Sequence, residues 1–429
     1  MTKDRARTER LHRLIDLART TRGWSRAELA RHLRRDPTKV YPESGNPKSD
    51  FVVALAKALD WPVGAVLETI WNGDASSASR IVETKRSDQR SPSDKAFELL
   101  YSEAREAHDD GRYRDMIELA GRMYSAAESE ERRAFSCAME ASGWDGLGRY
   151  TQEVDACRRG LACQGVSSYT RNILRSTLAN AWYSLWDLEP ALGTAELLAN
   201  HYESNPPKRD VDWKRVAFVH YLRGHVRRRF MSVEPDEADR HRELAIADLT
   251  TSERMYNELS ESLGDPQLAG IAATCRAGID ECRVHRGELD GPSTVAAMIH
   301  RVEEGLDARM APRGDVMESL GWTSIFATNI AMRTMDGAEL QGAMKTLLGY
   351  TLDIAEHLDN WAMRERAFSM QMSLHRLLSE RTGLELDLSI DETDRTLISA
   401  TMSRFPAFQQ TGWAMLESSQ SRTRSGGQS

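Results

Sequence analysis

The densest cluster of chemically capable side chains in this chain is the run His220-Tyr-Leu-Arg-Gly-His-Val-Arg-Arg-Arg-Phe230. Arg223 and Arg227 stand four apart, so a helix puts both on one face, with Arg228 or His220 near them. Two guanidiniums so placed can grip a carboxylate bidentately, which is the chemistry of recognising a peptide end or an acidic side chain. The same spacing also serves a solvated face paired with Glu234, Asp236 and Glu237 of the next helix. Asn180, beside Trp182 and Tyr183, and the i, i+4 pair Asn329 and Arg333 extend the first reading. An Asn facing a groove offers a peptide backbone both a donor and an acceptor. Asn residues on helices also commonly bond to a neighbouring helix instead.

Bond-breaking chemistry has no comparable signal. The sequence contains no HExxH, no GxxxxGKS or GxxxxGKT, no GxSxG, and no Gly-rich turn between a strand and a helix. His220 and His225 lie five apart, a spacing that does not bring them together as a metal pair. Asp387, Asp391, Glu392 and Asp394 read as caps at a helix N-terminus. Cys137, Cys157, Cys163, Cys275 and Cys282 include no CxxC, so buried reduced thiols are expected rather than disulfides or a zinc site. The residues point to a binding protein, not an enzyme, and imply no cofactor and no metal.

What must position these side chains is a long helical body. From about Lys95 to Glu417 apolar residues recur at helical spacing, in segments separated by Gly, Pro, Asn or Asp. Three turns read alike: Asp110-Gly111-Arg112-Tyr113, Leu147-Gly148-Arg149-Tyr150 and Trp186-Asp187-Leu188, at intervals of 37 and 38 residues. Small or aromatic residues precede each turn (Ala104 and Ala107, Ala141 and Trp144, Ala179 and Trp182), and Ala120, Cys157 or Ala195 follows it. Further helices are expected near residues 211–231, 237–263, 266–286, 292–308, 315–334, 338–358, 361–381 and 392–416, the last kinked or broken at Pro406.

This pattern resembles the tetratricopeptide repeat: paired helices, a Gly-x-Tyr type of turn, and Ala where helices approach closely. Gly287-Glu288-Leu289 offers a fourth turn, and Glu153 stands where a small residue is the rule. The resemblance implies an all-α solenoid of helical hairpins over residues 95–417, with a concave inner surface suited to a peptide or protein segment. Asn180, Tyr183, Arg223, Arg227, Asn329 and Arg333 are its candidate groove residues.

Ahead of the body, Trp24 to Trp61 carries a second pattern. Ser25 and Glu28 have capping-box spacing. Leu29, Ala30 and Leu33 share a face, Pro37 suits the first turn of another helix, and Val40 anchors it. Gly45-Asn46-Pro47 breaks the chain before Phe51, Leu55, Ala56 and Leu59. Together with Leu11, Leu14, Ile15 and Ala18 before it and Val63 to Trp71 after it, the segment resembles a helix-turn-helix domain of the Cro/CI type. The resemblance implies recognition of double-stranded DNA, with Thr38, Lys39 and Tyr41 toward bases and Ser25, Arg26, Arg34, Arg35 and Lys48 toward phosphates. Two features depart from the family: Arg34 occupies the usual turn glycine, and Pro42 limits the second helix to about two turns.

Charge follows the same division. The 429-residue chain has a net charge of −8, but residues 1–72 hold 14 Lys and Arg against 9 Asp and Glu, a net +5, leaving −13 for the rest. A basic head suits phosphate neutralisation. Residues 72–94 read as a linker and 418–429 as a disordered tail with no apolar side chain. No signal-peptide core or membrane-length apolar run is present, which points to a cytoplasmic protein. The layout resembles bacterial peptide-responsive transcriptional regulators, which implies a homodimer and a peptide or protein ligand. The alternative is a non-enzymatic adaptor whose degenerate head docks a protein instead of DNA.

Overall fold

The computed structural model describes residues 3–22, 24–59, 61, 63–71, 94–307, 312–383 and 388–425. Residues 72–93 of the expected linker, and Asp387 of the acidic cluster, lie outside them. The described residues are all helical, with no strand among them. They divide into two compact units: residues 1–89 with 372–429, and residues 90–371.

The first unit contains α1 (Lys3–Thr21), α2 (Arg26–His32), α3 (Ser49–Leu59) and α4 (Val63–Trp71), joined by α18 (Glu392–Met402) and α19 (Gln409–Ser425). Its core is the expected apolar set: Leu11, Leu14, Ile15, Leu29, Leu33, Val40, Phe51, Leu55 and Ile70 are all buried. Ser25 and Glu28 close the capping box on α2. The second helix expected from Pro37 is not an α-helix. Pro37–Lys39 forms a single 3-10 turn, capped by Asp36. Pro42 removes a donor that a longer helix would need, and the His12 ring meets the Pro42 carbonyl at 2.7 Å, holding the chain away from a helical path. The repeat expected over 95–417 does not include α18 and α19: α18 packs on α1, and the buried Trp61 indole donates to the Ser399 carbonyl at 2.7 Å. Pro406 does break the last segment, opening a 3-10 turn. The backbone of α19 runs to Ser425, beyond the expected start of a disordered tail. A helix already anchored by Met415 and Leu416 extends at little further cost.

The second unit is built from α5 (Asp94–Asp109), α6 (Tyr113–Ala126), α7 (Glu130–Gly146), α8 (Tyr150–Ala162), α9 (Ser168–Ser184), α10 (Leu188–Ser204), α11 (Trp213–Val233), α12 (Ala238–Leu263), α13 (Pro266–Arg286), α14 (Gly291–Leu306), α15 (Gly314–Thr334), α16 (Gly337–His357) and the start of α17 (Trp361–Thr382). Most of these helices pack on their sequence neighbours, as hairpin repeats do, and inner helices also meet the next inner helix, most extensively α13 on α15, while α13 barely touches α14. The repeat turns adopt the left-handed backbone that their shared pattern requires, at Gly111 (φ 74°), Gly148 (φ 60°), Trp186 (φ 67°) and Gly287 (φ 77°). Ala104, Ala107, Ala141, Ala179 and Ala195 are fully buried where the helices touch. All five cysteines are free and buried.

The unit closes on itself. The Trp361 N–H donates to the Leu147 carbonyl at 3.0 Å and the Asn360 amide to the Gly146 carbonyl at 3.3 Å. Arg114 pairs with Asp359 at 2.5 Å and Arg313 with Asp110 at 3.0 Å. The first hairpins thus meet the last ones, and the odd-numbered helices α5 to α15 turn their inner faces toward one another.

Candidate functional site

Closure converts the concave surface into a cavity of about 240 Å³ lined from six of those inner helices. His108 comes from α5, Ser142 and Asp145 from α7, and Asn180 and Tyr183 from α9. Phe218 and Tyr221 come from α11, Ile271 and Thr274 from α13, and Asp315, Glu318, Trp322 and Phe326 from α15. Tyr150 adds a wall from the start of α8.

Three carboxylates share this space with few neutralising partners. Asp145 accepts the Asn180 amide at 2.9 Å, and Glu318 accepts the Trp322 indole at 2.9 Å. Burial, and then mutual repulsion with Asp315, raises the pKa of Asp145 to about 7 and that of Glu318 to about 8. Burial also raises Asp315. His108 is the one basic group in this wall. Burial opposes its charge, but its hydrogen bond to Asp109 and the nearby Asp315 and Asp145 outweigh that and raise it. A partly open acidic pocket with aromatic walls is suited to an ammonium or guanidinium group, which the carboxylates attract and the rings accept by cation–π contact.

A second cavity of about 400 Å³ adjoins it, with Trp322 and Phe326 lining both. Here the charge is reversed. Arg228, Arg229, Arg333 and Arg366 line it together with Trp186, Asn329 and the single carboxylate Glu281. Arg228 pairs with Glu281 at 2.7 Å and lies over the Phe326 ring. Arg229 is buried between the Tyr183 ring, 3.7 Å away, and the Trp186 ring, 4.4 Å away. It donates to the Tyr183 carbonyl but forms no salt bridge among the described residues. Burial, with the neighbouring Arg366 and Arg228, outweighs the opposing influence of Tyr183 and Glu365 and lowers its pKa to about 10.

Four of the six groove residues expected from sequence therefore line cavities: Asn180 and Tyr183 the acidic one, Asn329 and Arg333 the basic one. Asn180 is already committed to Asp145, and Asn329 to Glu281 at 3.2 Å. Arg223 and Arg227 do not line either. Both bind Asp248 of α12, at 2.7 and 2.6 Å, and His220 meets the same carboxylate at 2.9 Å. They are a paired helix face, as the alternative reading held, but the partner is Asp248, with Glu196 beside Arg227, and not Glu234, Asp236 or Glu237. Asp145, Asp315, Glu318, Trp322, Arg229 and Arg366 were not anticipated. One signal for them was present: Asp315, Glu318, Trp322, Phe326, Asn329 and Arg333 recur every three or four residues along α15.

In the first unit, the expected DNA-facing residues separate into two groups. Ser25 serves the capping box. Arg26 donates to the Pro37 carbonyl at 2.8 Å, Arg35 lies 5.1 Å from the Phe51 ring, Thr38 bonds Asp36, and Tyr41 bonds Asp16. Arg34, Lys39 and Lys48 are exposed. Arg34 takes the left-handed conformation (φ 53°) that a turn glycine would adopt without strain.

The His220 and His225 rings do not form a metal pair: His220 faces Asp248, and His225 is buried against Tyr221. Glu234, Glu237 and His241 are the one converging group of three metal-capable ligands among the described residues, and both carboxylates are exposed. No described helix is long and apolar enough to cross a membrane. No protein-family model matches the chain, and no characterised protein matches its sequence.

Proposed function

We propose that this chain is a DNA-binding transcriptional regulator in which the repeat unit senses a peptide or protein ligand. The observation that carries the sensing half is the pair of neighbouring cavities in the repeat unit, one lined by carboxyl groups and the other by arginines. Such a space takes up a ligand from solution, and the ring closure at Trp361 and Leu147 gives binding a contact to strengthen or release. The DNA half rests on the order of the head elements, the positive-φ turn at Arg34, the net +5 of residues 1–72, and the exposed Arg34, Lys39 and Lys48. Phosphate contact dominates such binding, and base reading is limited to what a single 3-10 turn presents. Homodimerisation belongs to this proposal as the means of pairing two heads on one operator.

The second reading, a protein-docking adaptor, is favoured by that same short turn and by the internal engagement of Arg26, Arg35 and Tyr41. A band shift with full-length protein and non-specific duplex at low salt separates them. The regulator binds, binding falls steeply with salt, and a Lys39→Ala, Lys48→Ala double variant flattens the log–log salt dependence by about two. Negligible binding at low salt discards the regulator and leaves the adaptor.

A further inference from the structure

The arginine-lined cavity holds more positive charge than the protein around it neutralises. Four guanidiniums, those of Arg228, Arg229, Arg333 and Arg366, meet two carboxylates there: Glu281 in the wall and Glu365 beside Arg366. Glu281 is shared by Arg228 at 2.7 Å and Asn329 at 3.2 Å. Glu365 lies 3.4 Å from Arg366 and accepts the Ser369 hydroxyl at 2.7 Å. Its charge favours that of Arg229 from a distance, but neither Arg229 nor Arg333 has an ion-pair partner among the described residues. We propose that this cavity binds a small organic phosphate monoester with an aromatic body, the phosphate held by Arg229 and Arg366 with Arg333 closing over it from the rim. The site goes beyond the sensing reading above and does not depend on it.

Charge selects the head group. Two unmatched guanidiniums suit a dianion, and a phosphate monoester carries about −1.5 to −2 at pH 7. A monocarboxylate would leave one of them uncompensated. Phosphate oxygens also accept the paired N–H groups of a guanidinium bidentately. The strain of the empty site is concentrated at Arg229, which is only 7 % exposed and has Arg228 and Arg366 opposing its charge. An incoming dianion relieves all three.

The guanidiniums are also held ready. Arg229 and Arg366 both lie over the Trp186 indole, with 4.4 and 5.0 Å between each guanidinium carbon and the ring centre. Trp186 keeps a left-handed backbone (φ 67°) that strains a non-glycine residue, and the result is a ring that fixes two cationic groups before a ligand arrives.

Size and lining select the body. About 400 Å³ lies in the range of small-molecule sites and is several times what a bare phosphate fills. Trp322, Ile325, Met332 and Met370 supply apolar and aromatic wall that an inorganic anion would leave unused.

The test is calorimetric titration of full-length protein in phosphate-free buffer. Phenyl phosphate and adenosine monophosphate are monoester dianions on aromatic bodies. Glucose 6-phosphate carries the same dianion on a polar body, benzoate is an aromatic monoanion, and inorganic phosphate has no body. At least one aromatic monoester is expected to bind ten times more tightly, or better, than the last three probes. Arg333→Gln and Arg366→Gln should each weaken it about tenfold, the size of one lost charge-assisted contact. Arg240→Gln, on an exposed side chain of α12 outside the cavity, should leave it unchanged. Arg333 is exposed, so its variant keeps the test valid even if Arg366→Gln perturbs folding. Benzoate binding as tightly as the aromatic esters would overturn the phosphate head group. Glucose 6-phosphate or inorganic phosphate matching them would overturn the aromatic body. Binding of no probe, or binding indifferent to Arg333→Gln, would overturn the site.

Discussion

Gly148 lies directly against Trp361 where the repeat unit closes. A Cβ at Gly148 would stand 2.9 Å from the Trp361 nitrogen and 2.4 Å from that of Ala362, while the neighbouring Leu147 carbonyl accepts the Trp361 N–H at 3.0 Å. The obstruction is backbone, which cannot move aside as a flexible side chain can. Gly148→Ala is therefore expected to cost ~3 kcal/mol or more, combining left-handed strain with loss of the closure contact. Gly287→Ala is the control: its φ of 77° carries the same strain, but nothing lies within 4 Å of the added carbon, so ~1 kcal/mol is expected. Chemical denaturation of both variants measures the difference. Equal losses would mean that closure contributes nothing to stability.

Glu153 is fully buried, and neither of its carboxylate oxygens has a hydrogen-bond partner among the described residues. Burial, and then the charges of Asp145 and Glu318, raises its pKa well above the usual value. The folded state therefore keeps a proton that the unfolded chain releases. Stability on this account is greatest below the unfolded pKa of ~4.3 and declines as pH rises toward the folded value. Glu153→Met keeps similar volume and removes the group. It should stabilise the protein by ~2 kcal/mol at pH 8 and change little at pH 4. Thermal melting across that range reads the result, and a variant no more stable at pH 8 than at pH 4, relative to wild type, would contradict it.

Asp248 carries the opposite sign. Burial alone would raise its pKa, but the hydrogen bond to His220 and the charges of Arg223 and Arg227 hold it below the usual carboxylate range. Its contribution is present above the unfolded pKa and is lost as pH falls. Asp248→Asn leaves Arg223 (20 % exposed) without its carboxylate and Arg227 (11 % exposed) with Glu196 alone. A loss of ~3 kcal/mol at pH 7 is expected, shrinking in acid. Were Arg223 and Arg227 reserved for a ligand, the substitution would leave stability nearly unchanged.

These residues show what the sequence makes legible. Helix limits are plain where local chemistry sets them: Pro266 at the first turn and Gly287 just past the end bound α13 at the expected positions. The turn at Trp186 is found by spacing although its residue type argues against a left-handed conformation, because stacking with Arg229 and Arg366 holds the indole there. Periodicity fails at Pro37 to Val40, where apolar spacing fits a helix but Pro42 and the bond between His12 and the Pro42 carbonyl decide otherwise. The acidic cavity is hardest to read. Asp145 and Asp315 are far apart in the chain and meet only because the solenoid closes, a property of accumulated small rotations between repeats. Asn180 was recognisable as inward-facing, but its engagement by Asp145 was not. Arg223 and Arg227 misled for a related reason: helical spacing shows that two side chains share a face, not which element covers that face.

The exposed Arg34 offers a separation of stability from DNA contact in the first unit. Its φ of 53° places a branched backbone position in a region where a non-glycine residue is strained by ~1 kcal/mol. Arg34→Gly removes that strain at the cost of a more flexible unfolded chain, which offsets about 0.4–1 kcal/mol of it, so a small net gain of up to about 0.5 kcal/mol is expected. Under the proposed function the same change removes one phosphate-facing charge. Affinity for duplex DNA should fall, and the log–log salt dependence should become shallower by about 0.9. Melting temperature and fluorescence anisotropy at several salt concentrations give the two readouts from one preparation. A more stable variant with unchanged salt dependence would leave the turn geometry explained and remove Arg34 from the DNA surface. A less stable variant would show that the arginine side chain, and not a relaxed backbone, holds the turn.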